Sequence, residues 1–147
     1  MTLSYFLLPT VYNKDTIKQE IKNQILNKYN INIRFNENIR YSLLPRPHFT
    51  SKNLSIIKDA NNIGNVKNFK IFISIDKLFF FKDFETRNIV FDKTDFDLDK
   101  NDLEFFYNLL KIPPSNNEII IKDSNIFFKD KNDETLFINK ISKSKFY

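Results

Sequence analysis

Between Ile31 and Leu43 the chain alternates strictly. Ile31, Ile33, Phe35, Ile39, Tyr41 and Leu43 fall in one phase, and Asn32, Arg34, Asn36, Asn38, Arg40 and Ser42 in the other. A period of two is the signature of a strand with one apolar and one polar face, and such a strand must lay its apolar side against another layer. The interruption at Asn36, Glu37 and Asn38 suits either a hairpin turn between two short strands or one long bent strand, because the phase survives it. Pro45 and Pro47 end the ladder, since neither ring offers an N–H to a neighbour.

The rest of the chain supplies partners for this sheet. Asn13 to Asn30 is predicted to be an amphipathic helix: Ile17, Ile21, Ile25, Leu26 and Tyr29 recur every three to four residues, Asn13 is placed to cap it, and Asp15 sits near its positive end. Strands are predicted at 50–57, at 66–75 with Phe69, Ile71, Ile73 and Ile75 in phase, at 86–91, 94–98, 118–122, 125–129 and 135–141. Leu78 to Phe81 is an apolar knot that suits a turn of helix. A second short helix is predicted at 101–111, with Leu103, Phe106, Tyr107 and Leu110 on one face and Pro113 and Pro114 as stop signals. Strand, turn and strand recur about every 10 residues, as in an antiparallel meander. The expected fold class is α+β, mainly antiparallel, with an N-terminal helix packed on a highly curved sheet able to form an open groove.

At 147 residues the chain is one domain, and 16% aromatic residues supply enough bulk for a core despite a mean hydropathy of −0.41. One Gly and no Cys exclude a disulfide scaffold, a zinc ribbon and a glycine-rich phosphate loop. The formal charge of +5 suits an anionic partner. Yet 19 of the 23 basic residues are Lys, and Asn, Ile, Lys and Phe all have A/T-rich codons, so part of the excess reflects base composition.

Catalytic constellations are scarce. His48 is the only histidine, lies between Pro47 and Phe49 with Ser42 and Ser51 near in sequence, and suits a partly exposed loop position better than a nucleophile's base. Asp95, Asp97 and Asp99 match the first ligands of a calcium loop, but Lys100 and Phe106 stand where that loop needs Gly and a bidentate carboxylate. Neither a metal nor a cofactor is expected. Lys70, Phe72 and Phe79 to Lys82 come nearest to a stacking platform for nucleic acid, but most aromatics lie in phase with Ile and Leu, so no nucleic acid is expected as a partner.

The segment Tyr5-Phe-Leu-Leu-Pro-Thr-Val-Tyr12, the helix after it, Ile31-Asn-Ile-Arg-Phe35 and Ile39-Arg-Tyr-Ser-Leu-Leu-Pro-Arg-Pro47 follow one another in an order that resembles the amino-terminal region of AsmA-like proteins. Asp76-Lys-Leu-Phe-Phe80 is similar to the family's leucine-bearing turn, and Glu118 to Asp130 to its recurring strand pair. The family usually carries Gly in the first hairpin, where this chain has Asn36, Glu37 and Asn38. The resemblance implies a non-enzymatic protein of the Gram-negative cell envelope, anchored in the inner membrane and facing the periplasm. Its sheet would resemble those of bridge-like lipid transporters, with a role in phospholipid transport or outer-membrane lipid homeostasis. Residues 1–12 would then be the tail of an upstream membrane anchor, and 13–147 a single domain excerpted from a longer chain.

On that reading the partners are phospholipid acyl chains, the inner membrane and other envelope proteins. Ile31, Ile33, Phe35, Ile39, Tyr41, Leu43, Phe69, Ile71, Ile73 and Ile75 would line an apolar trough, with headgroups at a wet rim near Arg34, Arg40 or Lys70. The same pattern also fits a core filled by its own side chains, in a structural module that pairs with other chains through its sheet edges.

Overall fold

A computed structural model describes residues 13–74, 85–111 and 118–146 of the protein. Helix α1, Lys14–Tyr29, starts where Asn13 accepts the Asp15 N–H at 2.9 Å, and stops where Asn30 turns left-handed (φ 54°) and donates its N–H to the Leu26 carbonyl. Ile17, Ile21, Ile25 and Tyr29 are buried, and each such side chain stabilises the docked helix by about 1.5–3 kcal/mol. Leu26 is left 44% exposed, because the buried stripe is narrower than the periodicity suggests.

The sheet is open and contains β1 (Asn32–Phe35), β2 (Arg40–Ser42), β3 (His48–Lys58), β4 (Asn61–Ile73), β5 (Thr86–Leu98), β6 (Ile119–Lys129) and β7 (Thr135–Phe146). β1 and β2 do not form a hairpin. They lie end to end along β3, so the bent-strand alternative is the one adopted, with Asn36 to Ile39 as the gap. β3 and β4 are joined by Asp59 and Ala60, both left-handed, the two-residue turn that matches strand twist. The order continues β4-β5-β6-β7. The β5–β6 pair is parallel, which a pure meander would not contain, and the chain crosses over through α2, Leu103–Leu110.

Alternation along the long strands slips near their middle. Buried residues are odd-numbered on one side (Phe49, Ser51; Phe69, Ile71; Ile89, Phe91; Ile119, Ile121) and even-numbered on the other (Leu54, Ile56; Val66; Thr94, Phe96; Ser124, Ile126). The slip falls in one row across the sheet, where Asn53, Lys93 and Asp123 have φ of 51°, 53° and 48°. One left-handed residue rotates the strand so that both halves turn the same face inward. The Ser124 hydroxyl bridges the broken ladder, accepting the Thr94 N–H (3.1 Å) and donating to the Lys122 carbonyl (2.7 Å). The strands expected separately at 86–91 and 94–98, and at 118–122 and 125–129, are therefore single strands with this crease inside them.

The apolar face is the core. α1 covers it, tied down where Gln24 Oε1 accepts the Thr86 N–H (2.9 Å) and the Lys28 ammonium donates to the Thr86 carbonyl (3.1 Å). α2 adds Phe105 and Phe106 against Phe96, with ring centroids 6.0 and 5.2 Å apart. The face expected for α2 is displaced: Leu103 and Tyr107 are exposed, and Phe105 is the buried anchor. The single glycine, Gly64, sits opposite Phe96, where a Cβ would come within 3.0 Å of the ring.

Candidate functional site: a cationic groove on the open sheet face

The alternation does bring the residues of the expected trough to one face, and that face is closed. Ile31, Ile33, Ile39, Phe69, Ile71 and Ile73 are 0–4% exposed beneath α1 and its neighbours. Phe35 and Tyr41 are partly buried against the same cluster, Leu43 is half-buried, and Ile75 lies outside the described residues. Side chains this deeply covered cannot touch an acyl chain while the helix stays docked. Burial also pushes the Tyr41 hydroxyl above its usual pKa, and that of Tyr29 up to about 12, with Glu85 adding to the second shift.

His48 is likewise not an exposed loop residue. It is 4% exposed at the start of β3, with Nδ1 2.6 Å from the Arg46 carbonyl oxygen, which puts the ring proton on that nitrogen. Ser42 is its cross-strand partner and the Ser51 hydroxyl donates to the Lys52 carbonyl, so no nucleophile–base pair is assembled there. Asp95 and Asp97 point away from Phe96 and Leu98, toward Asn125 (2.8 Å) and Lys129 (3.3 Å), and Asp99 accepts the Asn101 and Asp102 N–H groups ahead of α2. Among the described residues no group of His, Cys, Asp and Glu could hold a metal ion, and no helix is long and apolar enough to cross a membrane. The segments 1–12, 76–80 and 79–82 singled out in the sequence, and Pro113 and Pro114, lie outside the described residues.

The open feature is on the opposite face. A groove of about 1070 Å³ runs over the first halves of β3, β5 and β6 and the second half of β4, and is bordered by the β1–β2 gap and Lys18 of α1. Its floor is a cross-strand row, Thr50, Lys70, Val90 and Ile120, which extends to Lys145 on β7. A parallel row reads Lys52, Asn68, Asp92, Lys122 and Lys143. Phe72 stands at one end, with Arg46 Cζ and Lys70 Nζ each 5.9 Å from its ring centre.

Charge in the groove is unbalanced. Asp92 pairs with Lys122 at 3.5 Å and accepts from Asn68 at 3.0 Å, Glu118 pairs with Lys145 at 3.5 Å, and Glu37 holds Asn53. Among the described residues, no carboxylate lies within 4 Å of Arg40, Arg46, Lys52, Lys70 or Lys143. These five cations surround an apolar strip of Phe72, Val90 and Ile120, each half-buried. Strict alternation does not mark that strip, because the period of two picks out the core phase. The signal was present as apolar residues in the wrong phase: Phe72 between Ile71 and Ile73, Val90 between Ile89 and Phe91, Ile120 between Ile119 and Ile121.

No protein-family model matches the chain, and no curated protein matches it.

Proposed function

We propose that this protein is a non-enzymatic lipid-binding module whose ligand lies in the cationic groove and not under the helix. The observation that carries the reading is the set of five cations around Phe72, Val90 and Ile120 that have no carboxylate partner among the described residues. That arrangement matches an anionic amphiphile: each methylene laid on the strip gains up to about 0.8 kcal/mol, and each Lys or Arg near an anionic headgroup about 1 kcal/mol. The volume lies slightly above the roughly 300–1,000 Å³ typical of small-molecule sites, enough for part of a phospholipid and open enough to release it. In the setting that the AsmA-like resemblance implies, the groove would serve phospholipid transport or lipid homeostasis at the periplasmic face of the inner membrane.

Co-sedimentation with vesicles tests this. Phosphatidylglycerol vesicles are expected to bind and phosphatidylcholine vesicles to bind at least tenfold more weakly. Arg46→Glu with Lys70→Glu should abolish the difference, and Val90→Asp should remove co-purifying lipid in native mass spectrometry while leaving the fold intact. Equal binding to both vesicles, or wild-type behaviour of the charge-reversed variant, overturns the proposal. So does tight binding to a single-stranded oligonucleotide that weakens steeply between about 50 and 200 mM salt without any lipid bound. A second reading, a structural module that pairs through its sheet edges, has its own support in the exposure of β7.

A further inference from the structure

From the geometry and charge of β7 we infer that the free edge of this strand takes up an extended, acidic segment of another protein as an eighth strand. This inference rests on the edge-pairing reading, and of the two lysines that would select the partner only Lys143 also borders the groove. β7 ends the sheet, and among the described residues nothing pairs with its outer side. It is 12 residues long, which is unusual for an unprotected edge. Proteins often guard such edges with Lys, and Lys140, Lys143 and Lys145 alone would fit that role. Leu136, Phe137 and Ile138 do not. They are consecutive, large, and 65%, 56% and 55% exposed, the kind of run that edge protection removes.

The strand is thus bipartite, and each part selects something in the partner. By register, Ile138, Lys140, Lys143 and Lys145 share one sheet face, opposite Phe127, Asn125, Lys122 and Ile120. Lys145 is engaged by Glu118 at 3.5 Å and Lys122 by Asp92, which leaves Lys140 and Lys143 without a carboxylate among the described residues. A strand added at this edge would place one set of side chains beside that row, so it fits best with carboxylates opposite Lys140 and Lys143 and a bulky apolar residue opposite Ile138. On the other face Phe137, stacked on Phe128 at 4.3 Å between ring centres, offers a second apolar contact. A second copy of this chain is the wrong occupant. Its edge strands are β7, β1 and β2, which carry Lys140, Lys143, Lys145, Arg34 and Arg40 and no acidic residue at all.

The test uses the whole chain and two labelled synthetic peptides of alternating Val and Glu, or Val and Lys, each with Leu at one end. Fluorescence anisotropy is expected to give at least tenfold tighter binding of the Glu peptide. Lys140→Glu should reverse that preference, and Ile138→Asn should weaken binding to the Glu peptide about fivefold. Both residues are exposed, so circular dichroism and melting should be unchanged. Equal binding of the two peptides, or an unaltered preference in Lys140→Glu, overturns the inference. A concentration-dependent dimer in light scattering that Ile138→Asn dissolves also overturns it, by making a second copy the occupant. Vesicle binding should be intact in both variants, and Arg46→Glu with Lys70→Glu should keep its peptide binding, so failure at the edge and failure at the groove are read separately.

Discussion

Replacing Lys93 by glycine should stabilise the protein, and replacing Lys67, its neighbour in the same row, should do the opposite. Lys93 has φ of 53° in the middle of β5, and its side chain is exposed, so the substitution acts almost wholly through the backbone. An L-residue held left-handed costs about 1–2 kcal/mol, less for Asn and Asp, which occupy the equivalent positions in β3 and β6. Glycine removes that strain and adds about 0.5–1 kcal/mol of chain entropy to be lost on folding, for a net gain of roughly 0.5–1 kcal/mol. At Lys67 there is no positive φ to relieve, so the same change loses about 0.5–1 kcal/mol. Lys93→Val, a β-branched residue forced left-handed, should lose about 1 kcal/mol or more. Urea unfolding with an unchanged slope reads all three. If Lys93→Gly and Lys67→Gly shift the midpoint in the same direction, the left-handed residue at Lys93 is not a strained position in the sheet.

Two further outcomes follow from the closed face. Ile71→Ala should cost about 2–5 kcal/mol and Ile71→Asp should prevent folding, whereas Val90→Asp, one strand away on the open face, should melt near the wild-type temperature; a folded Ile71→Asp protein would mean that the helix-covered face is not the core. Tyr29 titrates higher folded, at about 12, than unfolded, near 10, so the folded state holds its proton longer and stability should fall as pH rises from about 10 to 12. That loss should be absent in Tyr29→Phe, checked by urea midpoints across the range.

What was legible in the sequence is what local periodicity encodes. The helix, its Asn13 cap and the apolar phase of Ile31 to Tyr41 and of Phe69 to Ile73 are as the spacing predicts. The strand boundaries at 91–94 and 122–125 misled because a phase slip looks the same in one dimension whether the chain turns back or merely rotates by one left-handed residue. Neither Lys93 nor Asp123 is the Gly that would have marked such a site. The parallel β5–β6 pair was hidden for a different reason: strand direction depends on the crossover through α2, and no residue within either strand records it. Leu26, Leu103 and Tyr107 were misplaced because a helical stripe fixes only which residues are neighbours. How much of that stripe is covered depends on the sheet beneath.

The groove belongs to yet another class of information. Arg46, Lys70, Val90 and Ile120 come from β3 and its approach, β4, β5 and β6, and they meet only through the registers Thr50 with Lys70, Lys70 with Val90 and Val90 with Ile120. Whether a lysine is neutralised depends on those registers too: Lys122 finds Asp92 and Lys145 finds Glu118, while Lys70 and Lys143, of the same residue type, meet no carboxylate among the described residues. Yet one-dimensional traces of the site do exist. A strand buried on one face needs only every second residue apolar, so the continuous runs Ile89-Val90-Phe91 and Ile119-Ile120-Ile121 carry more apolar surface than the core can use. The surplus side chain in each run, Val90 and Ile120, is the one that forms the groove floor. In a half-open sheet, an apolar residue in the polar phase therefore points more directly to a ligand surface than any residue that obeys the alternation, because the alternating residues are already accounted for by the core.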